Sequence, residues 1–231
     1  MADFSYTRHP AGLARSATVF PMALHPEHPL LQRIVDDLAE HGWSRQSIFL
    51  PLDLTAELAA ECRLRHARGE LERAGIGRGE SPLIREGVRG DHIAWLEPDD
   101  EHPGVQRYLQ LMDILREAFN RTLFLGLEDY ESHFALYPPG AFYARHLDRF
   151  RDDDRRMVSL VLYLNDAWLP EQGGELRLYL DERRHQDVLP LGGSLVCFLS
   201  GQLPHEVLPA TRERLSLTGW FRRRGENPLQ A

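Results

Sequence analysis

The stretch Tyr137-Pro-Pro-Gly-Ala-Phe-Tyr-Ala-Arg-His146-Leu-Asp148 ends in a His-x-Asp pair. In an extended strand, side chains two positions apart point to the same face, so His146 and Asp148 can reach one point while Leu147 packs behind them. A third candidate, His205, lies far downstream in the segment Leu-Pro-His-Glu-Val-Leu-Pro. Two imidazoles and one carboxylate form the facial set that holds non-haem Fe(II) and leaves coordination positions open. The pattern predicts a metal site made of these three residues.

A second pattern lies nine residues after His205. Strand alternation in the segment 214–221 predicts two faces, one with Arg214, Ser216, Thr218 and Trp220 and the other with Leu215, Leu217 and Phe221. The planar guanidinium of arginine can bind a carboxylate through two parallel hydrogen bonds. Arg214 is therefore a candidate carboxylate-binding residue on the same side of a sheet as the metal site.

The second half of the chain has the pattern of a β protein. After Arg121 the helical period gives way to short strands separated by Pro-, Gly- and Asp-rich turns. The predicted strands cover approximately residues 129–137, 141–148, 156–164, 173–179, 187–191, 193–199, 204–209 and 212–222. Eight short strands of this kind are typical of a double-sheet jelly roll, whose interior can hold one small ligand.

The first half of the chain has the pattern of helices. Apolar residues from Pro29 onward follow helical spacing and end at Gly42, Thr55 can cap a second helix that ends near Gly69, and Pro103 suits the first turn of a third. We expect an N-terminal arm at residues 1–26 and one catalytic domain at 27–231. Within that domain, residues 27–121 would form a helical support and residues 122–224 the jelly-roll core, which gives an α+β, mainly β, fold class.

Charge and composition exclude several functions. The chain has 27 basic and 35 acidic residues, a net charge of −8, which argues against a broad nucleic-acid-binding surface. All the basic residues are arginine, so a Schiff-base lysine or a phosphate-binding loop lysine is excluded. Two cysteines are too few for a disulfide framework. The absence of a long apolar run predicts a cytoplasmic protein without a membrane partner.

At this point the sequence resembles the Fe(II)- and 2-oxoglutarate-dependent oxygenases, and within them the prolyl-hydroxylase-domain group that includes the hydroxylases of hypoxia-inducible factor and their bacterial relatives. The likeness covers approximately residues 89–221. It rests on seven segments in order, which are Arg89-Gly-Asp91 with Trp95, Tyr137-Pro, Tyr143-x-x-His146-x-Asp148, Leu162-Tyr-Leu-Asn165 with Trp168, Gly173-Gly174, Pro204-His205-Glu-Val-x-Pro209, and Arg214-x-Ser-x-Thr218-x-Trp220.

The resemblance implies a role for each candidate residue. His146, Asp148 and His205 would hold Fe(II), and Arg214 would bind the far carboxylate of 2-oxoglutarate. The other residues that would bind 2-oxoglutarate or lie near it are Tyr163, Tyr137 and Thr218. On the substrate side we expect Asp91, Arg89, Trp220 and Tyr143, with Asp91 paired to Arg155 or Arg156. The Gly-rich segment at about 73–87 would correspond to a finger-like loop that folds over a peptide, and the helices would support one sheet.

The resemblance also implies a reaction. The cofactors would be Fe(II), 2-oxoglutarate and O2, with ascorbate as a candidate auxiliary, and the product would be a hydroxylated prolyl residue in a protein. Bacterial members of the group are associated with elongation factor Tu, which is therefore the first candidate partner.

Two alternatives remain open at the level of the sequence. One is an oxygenase that acts on a free amino acid, an alkylated nucleobase or another small molecule. The other is a non-catalytic metal-binding jelly roll, such as a sensor or storage protein. The acidic balance argues against the nucleobase, and Arg214 with Tyr163 argues against a simple iron binder, which needs no buried carboxylate site.

Overall fold

The computed structural model describes residues 24–75, 88–148 and 155–225. In these ranges three α-helices pack on one side of a β core. The helices are α1 (Pro29–His41), α2 (Leu52–Ala67) and α3 (Pro103–Leu123). None of the helices in the described ranges has the length and apolar content that a membrane span requires.

The core consists of two antiparallel sheets. The strands are β1 (Trp43–Gln46), β2 (Glu72–Arg73), β3 (His92–Trp95), β4 (Leu127–Tyr137), β5 (Tyr143–His146), β6 (Arg156–Tyr163), β7 (Leu176–Tyr179), β8 (His185–Val188), β9 (Leu195–Leu199), β10 (His205–Val207) and β11 (Arg214–Arg223). The large sheet has the strand order β1-β9-β6-β11-β4-β3-β2, and the small sheet has the order β5-β10-β7-β8. The two sheets form the predicted jelly roll.

Each face of the large sheet packs against a different layer. On one face the residues Leu215, Leu217 and Phe221 belong to the apolar cluster that contains the buried sides of the three helices. The opposite face turns toward the small sheet, where a smaller cluster includes Tyr163, Phe198 and Val207. The alternation predicted for β11 is therefore correct, and the site residues lie between the two sheets.

Most of the predicted elements are present with shifted ends. Gly42 ends α1 in the left-handed region with φ 76°, and Pro103 occupies the first turn of α3, as predicted. The predicted cap at Thr55 is wrong, because Pro51 precedes the helix and the Thr55 hydroxyl donates to the Pro51 carbonyl at 2.8 Å inside the first turn. A threonine in a first turn can satisfy its hydroxyl on the carbonyl four residues earlier, so its presence alone does not mark the cap.

The N-terminal half also contributes strands. The strands β1, β2 and β3 come from the region that the sequence indicated as helical support, and they form both edges of the large sheet. Each is four residues or shorter, which leaves little room for an alternating pattern. The predicted arm lies outside the described residues up to position 23, and so does the greater part of the predicted finger loop, residues 76–87.

Candidate active site

Three metal-ligating side chains meet between the sheets. His146 ends β5, His205 begins β10, and the two are register partners in the small sheet. Asp148 follows β5 by two residues and lies 3.4 Å from Nε2 of His146 and 3.5 Å from Nε2 of His205. One ligand atom from each residue lies within 4.8 Å of the other two. The predicted set of His146, Asp148 and His205 is therefore assembled in space.

Backbone carbonyls fix both imidazoles in the orientation that a metal needs. Nδ1 of His146 lies 2.8 Å from the Ala144 carbonyl, and Nδ1 of His205 lies 3.1 Å from the Leu203 carbonyl. A carbonyl can only accept, so each Nδ1 carries the proton and each Nε2 keeps its lone pair. Such outer hydrogen bonds are the usual support of a ligating histidine.

Asp148 is held as a carboxylate by its surroundings. Burial favours the neutral acid, but attraction to His205 and His146 in their protonated, metal-free form outweighs it and holds the pKa of Asp148 well below its usual range. Ser159 on β6 donates to Asp148 Oδ2 at 2.7 Å and is itself linked to Ser200 at 2.8 Å. The carboxylate is therefore ionised and oriented before any cation binds.

The site lies in a cavity of about 560 Å³. Its lining includes nine of the eleven predicted site residues, which are His146, Asp148, His205, Arg214, Tyr137, Thr218, Arg89, Trp220 and Tyr143. The other two are buried beside it, Tyr163 fully and Asp91 at 2 % exposure. The predicted residues are thus brought into one region.

One end of the cavity is built around Arg214, which is only 1 % exposed. Its Nε donates to the Gly174 carbonyl at 2.9 Å, and its guanidinium lies 5.1 Å from the ring centres of both Tyr137 and Tyr163. Gly174 has φ 76°, and a Cβ there would approach the Ala210 side chain to 2.9 Å. A glycine at this position therefore allows the close approach that fixes the arginine.

Two polar groups at this end have no hydrogen-bond partner in the described part of the chain. Among the described residues, neither Nη2 of Arg214 nor the hydroxyl of Tyr163 makes a hydrogen bond, although both are buried. Burial raises the pKa of Tyr163 to about 12, so its hydroxyl stays protonated and can donate. A buried cation without a counter-charge is costly, so this pocket fits an anionic ligand such as a carboxylate.

The other end of the cavity is aromatic and charged. The guanidinium of Arg156 stacks on Trp220 at 3.6 Å, and its Nε donates to Glu131 at 2.8 Å. Trp95 is 47 % exposed and lies 6.3 Å from Trp220. This end can therefore contact a larger ligand from outside.

Asp91 pairs with a different arginine from the two that we expected. Arg89 binds it in a two-point contact, with Nε at 2.6 Å from Oδ1 and Nη2 at 2.9 Å from Oδ2. Two residues two positions apart in an extended segment share a face, which places Arg89 next to Asp91 without any long-range contact. Arg89 also lies 4.7 Å from the ring of Tyr143, and that ring stacks on His146 at 3.6 Å. The pair thereby supports a metal ligand through Tyr143.

The sequence did not reveal Ser159, His133 or Glu131 as site residues. Ser159 contacts Asp148, and the other two line the cavity. Alternation within the two predicted strands places Ser159 on the face of Tyr163 and His133 on the face of Tyr137, so a count in steps of two predicts the face of both residues but not the contact of Ser159 with Asp148.

The fold and the site together define a jelly-roll protein with a two-histidine, one-carboxylate set suited to non-haem Fe(II). Residues 132–222 match the model of the 2OG-Fe(II) oxygenase superfamily. A prolyl-4-hydroxylase from Pseudomonas putida is 62 % identical in sequence, with a TM-score of 0.78, and the match covers 84 % of this chain and 100 % of that one. The chain belongs to the 2OG-Fe(II) oxygenase superfamily and is prolyl-4-hydroxylase-like, as the sequence predicted.

Two further relatives extend the likeness. A Trichoplax adhaerens prolyl hydroxylase, solved with a peptide fragment of the hypoxia-inducible factor degradation domain, is 28 % identical with a TM-score of 0.76 and coverage of 84 % and 89 %. The hypoxia-inducible factor prolyl hydroxylase of Caenorhabditis elegans is 26 % identical over 85 % of this chain, which spans 29 % of that protein's length. The superfamily uses Fe(II), 2-oxoglutarate and O2, so this cofactor prediction is confirmed.

Proposed function

We propose that the protein hydroxylates a prolyl residue of a protein substrate, with 2-oxoglutarate as co-substrate. The observation that carries this proposal is the buried Arg214, which lacks an acidic partner among the described residues and shares one cavity with the metal-ligand set. A carboxylate at that end satisfies Nη2 of Arg214 and the hydroxyl of Tyr163. The 62 % identity to a prolyl-4-hydroxylase favours a prolyl substrate.

The residues of the cavity fall into a metal-binding group and a 2-oxoglutarate-binding group. His146, Asp148 and His205 would hold Fe(II), which supplies the oxidising chemistry with O2 and 2-oxoglutarate when bound. Arg214 and Tyr163 would bind the far carboxylate of 2-oxoglutarate and so fix its keto end toward the metal. Tyr137 would exclude water beside the guanidinium, since it is 5 % exposed and lies against it. Thr218 lies on the same face of β11, two residues from Trp220.

The aromatic end of the cavity would receive the substrate. Trp95, which is 47 % exposed, offers a flat apolar face suited to a pyrrolidine ring and its neighbours, and Trp220 lies beside it at the cavity wall. Arg156 is held over Trp220 by Glu131, so this surface is preorganised rather than formed on binding. A relative that was solved with a peptide fragment supports a peptide as the class of substrate.

Elongation factor Tu is the first candidate substrate, and it rests on the resemblance to bacterial members of the group. The test is mass spectrometry of a host lysate incubated with the enzyme, Fe(II) and 2-oxoglutarate. We expect a one-oxygen mass increase on a proline, together with succinate. An Asp148→Ala enzyme provides the control. If no proline gains oxygen while succinate still forms, the proposed substrate class is wrong.

A further inference from the structure

His133 is a buried titratable residue in the cavity that the functions assigned above do not use. It lies on β4, where its register partners are Trp95 on β3 and Thr218 on β11. Its residue surface is 1 % exposed, yet it lines the same cavity as the metal-ligand set. The row Trp95, His133 and Thr218 thus crosses the inner face of the large sheet on the cavity side.

The ring of His133 is fixed by three contacts. Nδ1 lies 3.0 Å from the Phe134 carbonyl, which can only accept, so Nδ1 carries the proton. The ring stands edge-on to Trp95 with centroids 5.0 Å apart, and it lies 5.6 Å from Trp220 at a tilt of 52°. Two indoles therefore hold the imidazole in place while the backbone sets its tautomer.

The second nitrogen is left as an acceptor. Burial, with the nearby charge of Arg89, lowers the pKa of His133 to about 4, so the ring is neutral at physiological pH. In the part of the chain that the structure describes, Nε2 of His133 has no hydrogen-bond partner. Nε2 is not among the fully buried unpaired atoms of the described residues, so it is accessible from the cavity and can accept a hydrogen bond from a ligand there.

We propose that His133 is a specificity-determining residue, whose Nε2 accepts a hydrogen bond from a backbone N–H of the substrate beside the target proline. This inference rests on the proposed function. A prolyl residue within a chain has no N–H, so the donor must belong to a neighbouring residue. A protein substrate presents such a donor at each non-prolyl position. The hydrogen bond to His133 would position the substrate backbone so that the target proline lies beside Trp220.

The tautomer can be tested without any substrate. The probe is nitrogen-15 NMR of histidine side chains in protein loaded with diamagnetic Zn(II) in place of Fe(II), with the His133 signal assigned by its loss in His133→Asn. We expect a protonated Nδ1 and an unprotonated Nε2. A protonated Nε2 overturns the inference and leaves the proposed function untouched.

The two nitrogens can be separated by a matched pair of substitutions. His133→Asn keeps a donor at the position of Nδ1 and removes the acceptor, whereas His133→Gln places an amide oxygen near the position of Nε2. We expect His133→Asn to raise the KM for a peptide substrate about tenfold, more than it raises the KM for 2-oxoglutarate, since a tenfold change corresponds to about 1.4 kcal/mol, which is within the range for one hydrogen bond. His133→Gln should recover part of the loss. Equal effects of both variants on the two KM values would indicate a packing role and overturn the inference.

Backbone esters identify the donor. The probe is an array of eleven-residue peptides with one central proline, tiled over elongation factor Tu and other abundant host proteins, and the best peptide is remade with each flanking amide replaced by an ester. We expect one ester to reduce kcat/KM about tenfold in the parent and to have little further effect in His133→Asn. The inference is wrong if every ester affects both enzymes alike. If the parent hydroxylates no peptide of the array, the proposed function fails and the inference falls with it.

Discussion

The side chains on the two faces of strand β11 have different surroundings: one face packs against the helices and the other lines the cavity. Leu215, Leu217 and Phe221 are at most 1 % exposed and pack in the apolar cluster beneath the helices. Arg214 and Trp220 are buried almost as deeply on the other face, but they line the cavity. Burial is therefore nearly equal on the two faces, and only the partners differ.

The two faces also differ in whether their side chains are satisfied within the chain. The helix-side residues are satisfied by packing within the chain, whereas Arg214 keeps Nη2 without a partner among the described residues. Stability comes from the first face and binding from the second, so substitutions on the two faces should separate stability from activity.

The largest expected effect is at the metal ligands. Asp148→Ala removes the only carboxylate of the three-residue set and should abolish succinate formation with a small change in melting temperature, because Asp148 lies outside the apolar clusters. The measurement is succinate release at saturating Fe(II), together with a thermal melt. His185→Ala, at a half-exposed histidine of the small sheet, is the control and should retain activity. Normal turnover in Asp148→Ala would contradict the assignment of this set.

The next effect concerns the buried cation. Arg214→Ala would remove one partner of the proposed buried pair between Arg214 and a carboxylate of 2-oxoglutarate. Such a loss typically costs about 3 to 5 kcal/mol, so the KM for 2-oxoglutarate should rise at least roughly a hundredfold. Fe(II) affinity should change far less.

The neighbouring Arg212→Ala provides a matched control for Arg214→Ala. Arg212 lies two residues away and makes a surface contact with Asp166 at 3.4 Å. For both variants, the initial rate is measured as a function of the 2-oxoglutarate concentration. An unchanged 2-oxoglutarate requirement in Arg214→Ala would mean that another co-substrate is used.

A smaller effect is expected at Ser159. Ser159→Ala removes the hydroxyl that donates to Asp148, and the loss of such an outer partner typically costs about 10- to 100-fold in metal affinity. The check is the Fe(II) concentration for half-maximal activity. Ser44→Ala is the control. Ser44 lies on β1 of the same sheet, and its hydroxyl donates to the carboxylate of Asp37 on α1 at 2.6 Å. Equal Fe(II) requirements in the two variants would show that Ser159 does not tune the metal site.

The helix-side face should affect stability alone. Leu217→Ala creates a cavity in the apolar cluster and should lower the free energy of unfolding by about 2 to 5 kcal/mol. The KM for 2-oxoglutarate should stay within about twofold of the parent value below the melting range, since Leu217 faces away from the cavity. Denaturant unfolding and initial rates measure the two quantities. A large KM change without loss of stability would break the separation of the two faces.

Local periodicity predicted much of this arrangement. The alternation in β11 predicted that Arg214, Thr218 and Trp220 share one face of the strand. The His-x-Asp spacing predicted that His146 and Asp148 lie together. Each of these needs only the geometry of one strand. The assignment of His205 to the same site rested on chemistry and on the family resemblance, because it joins the site only through pairing of β10 with β5.

The features that sequence missed depend on contacts between distant segments. Ser159 meets Asp148 only because β6 lies opposite the end of β5, and no pattern in the sequence gives that proximity. The pairing of Arg89 with Asp91 is different, since the two residues lie two positions apart and their shared face was readable. The resemblance implied Arg155 or Arg156 as the partner, whereas the spacing of two residues favours Arg89.

The most direct test of the account is to follow both products of one turnover under isotope-labelled O2. The parent enzyme is given Fe(II), 2-oxoglutarate and a prolyl peptide that it hydroxylates. The masses of the succinate and of the peptide are then measured by mass spectrometry. We predict one labelled oxygen in the succinate and one on the proline, in equal amounts. Labelled succinate without label on the proline would contradict prolyl hydroxylation at this site.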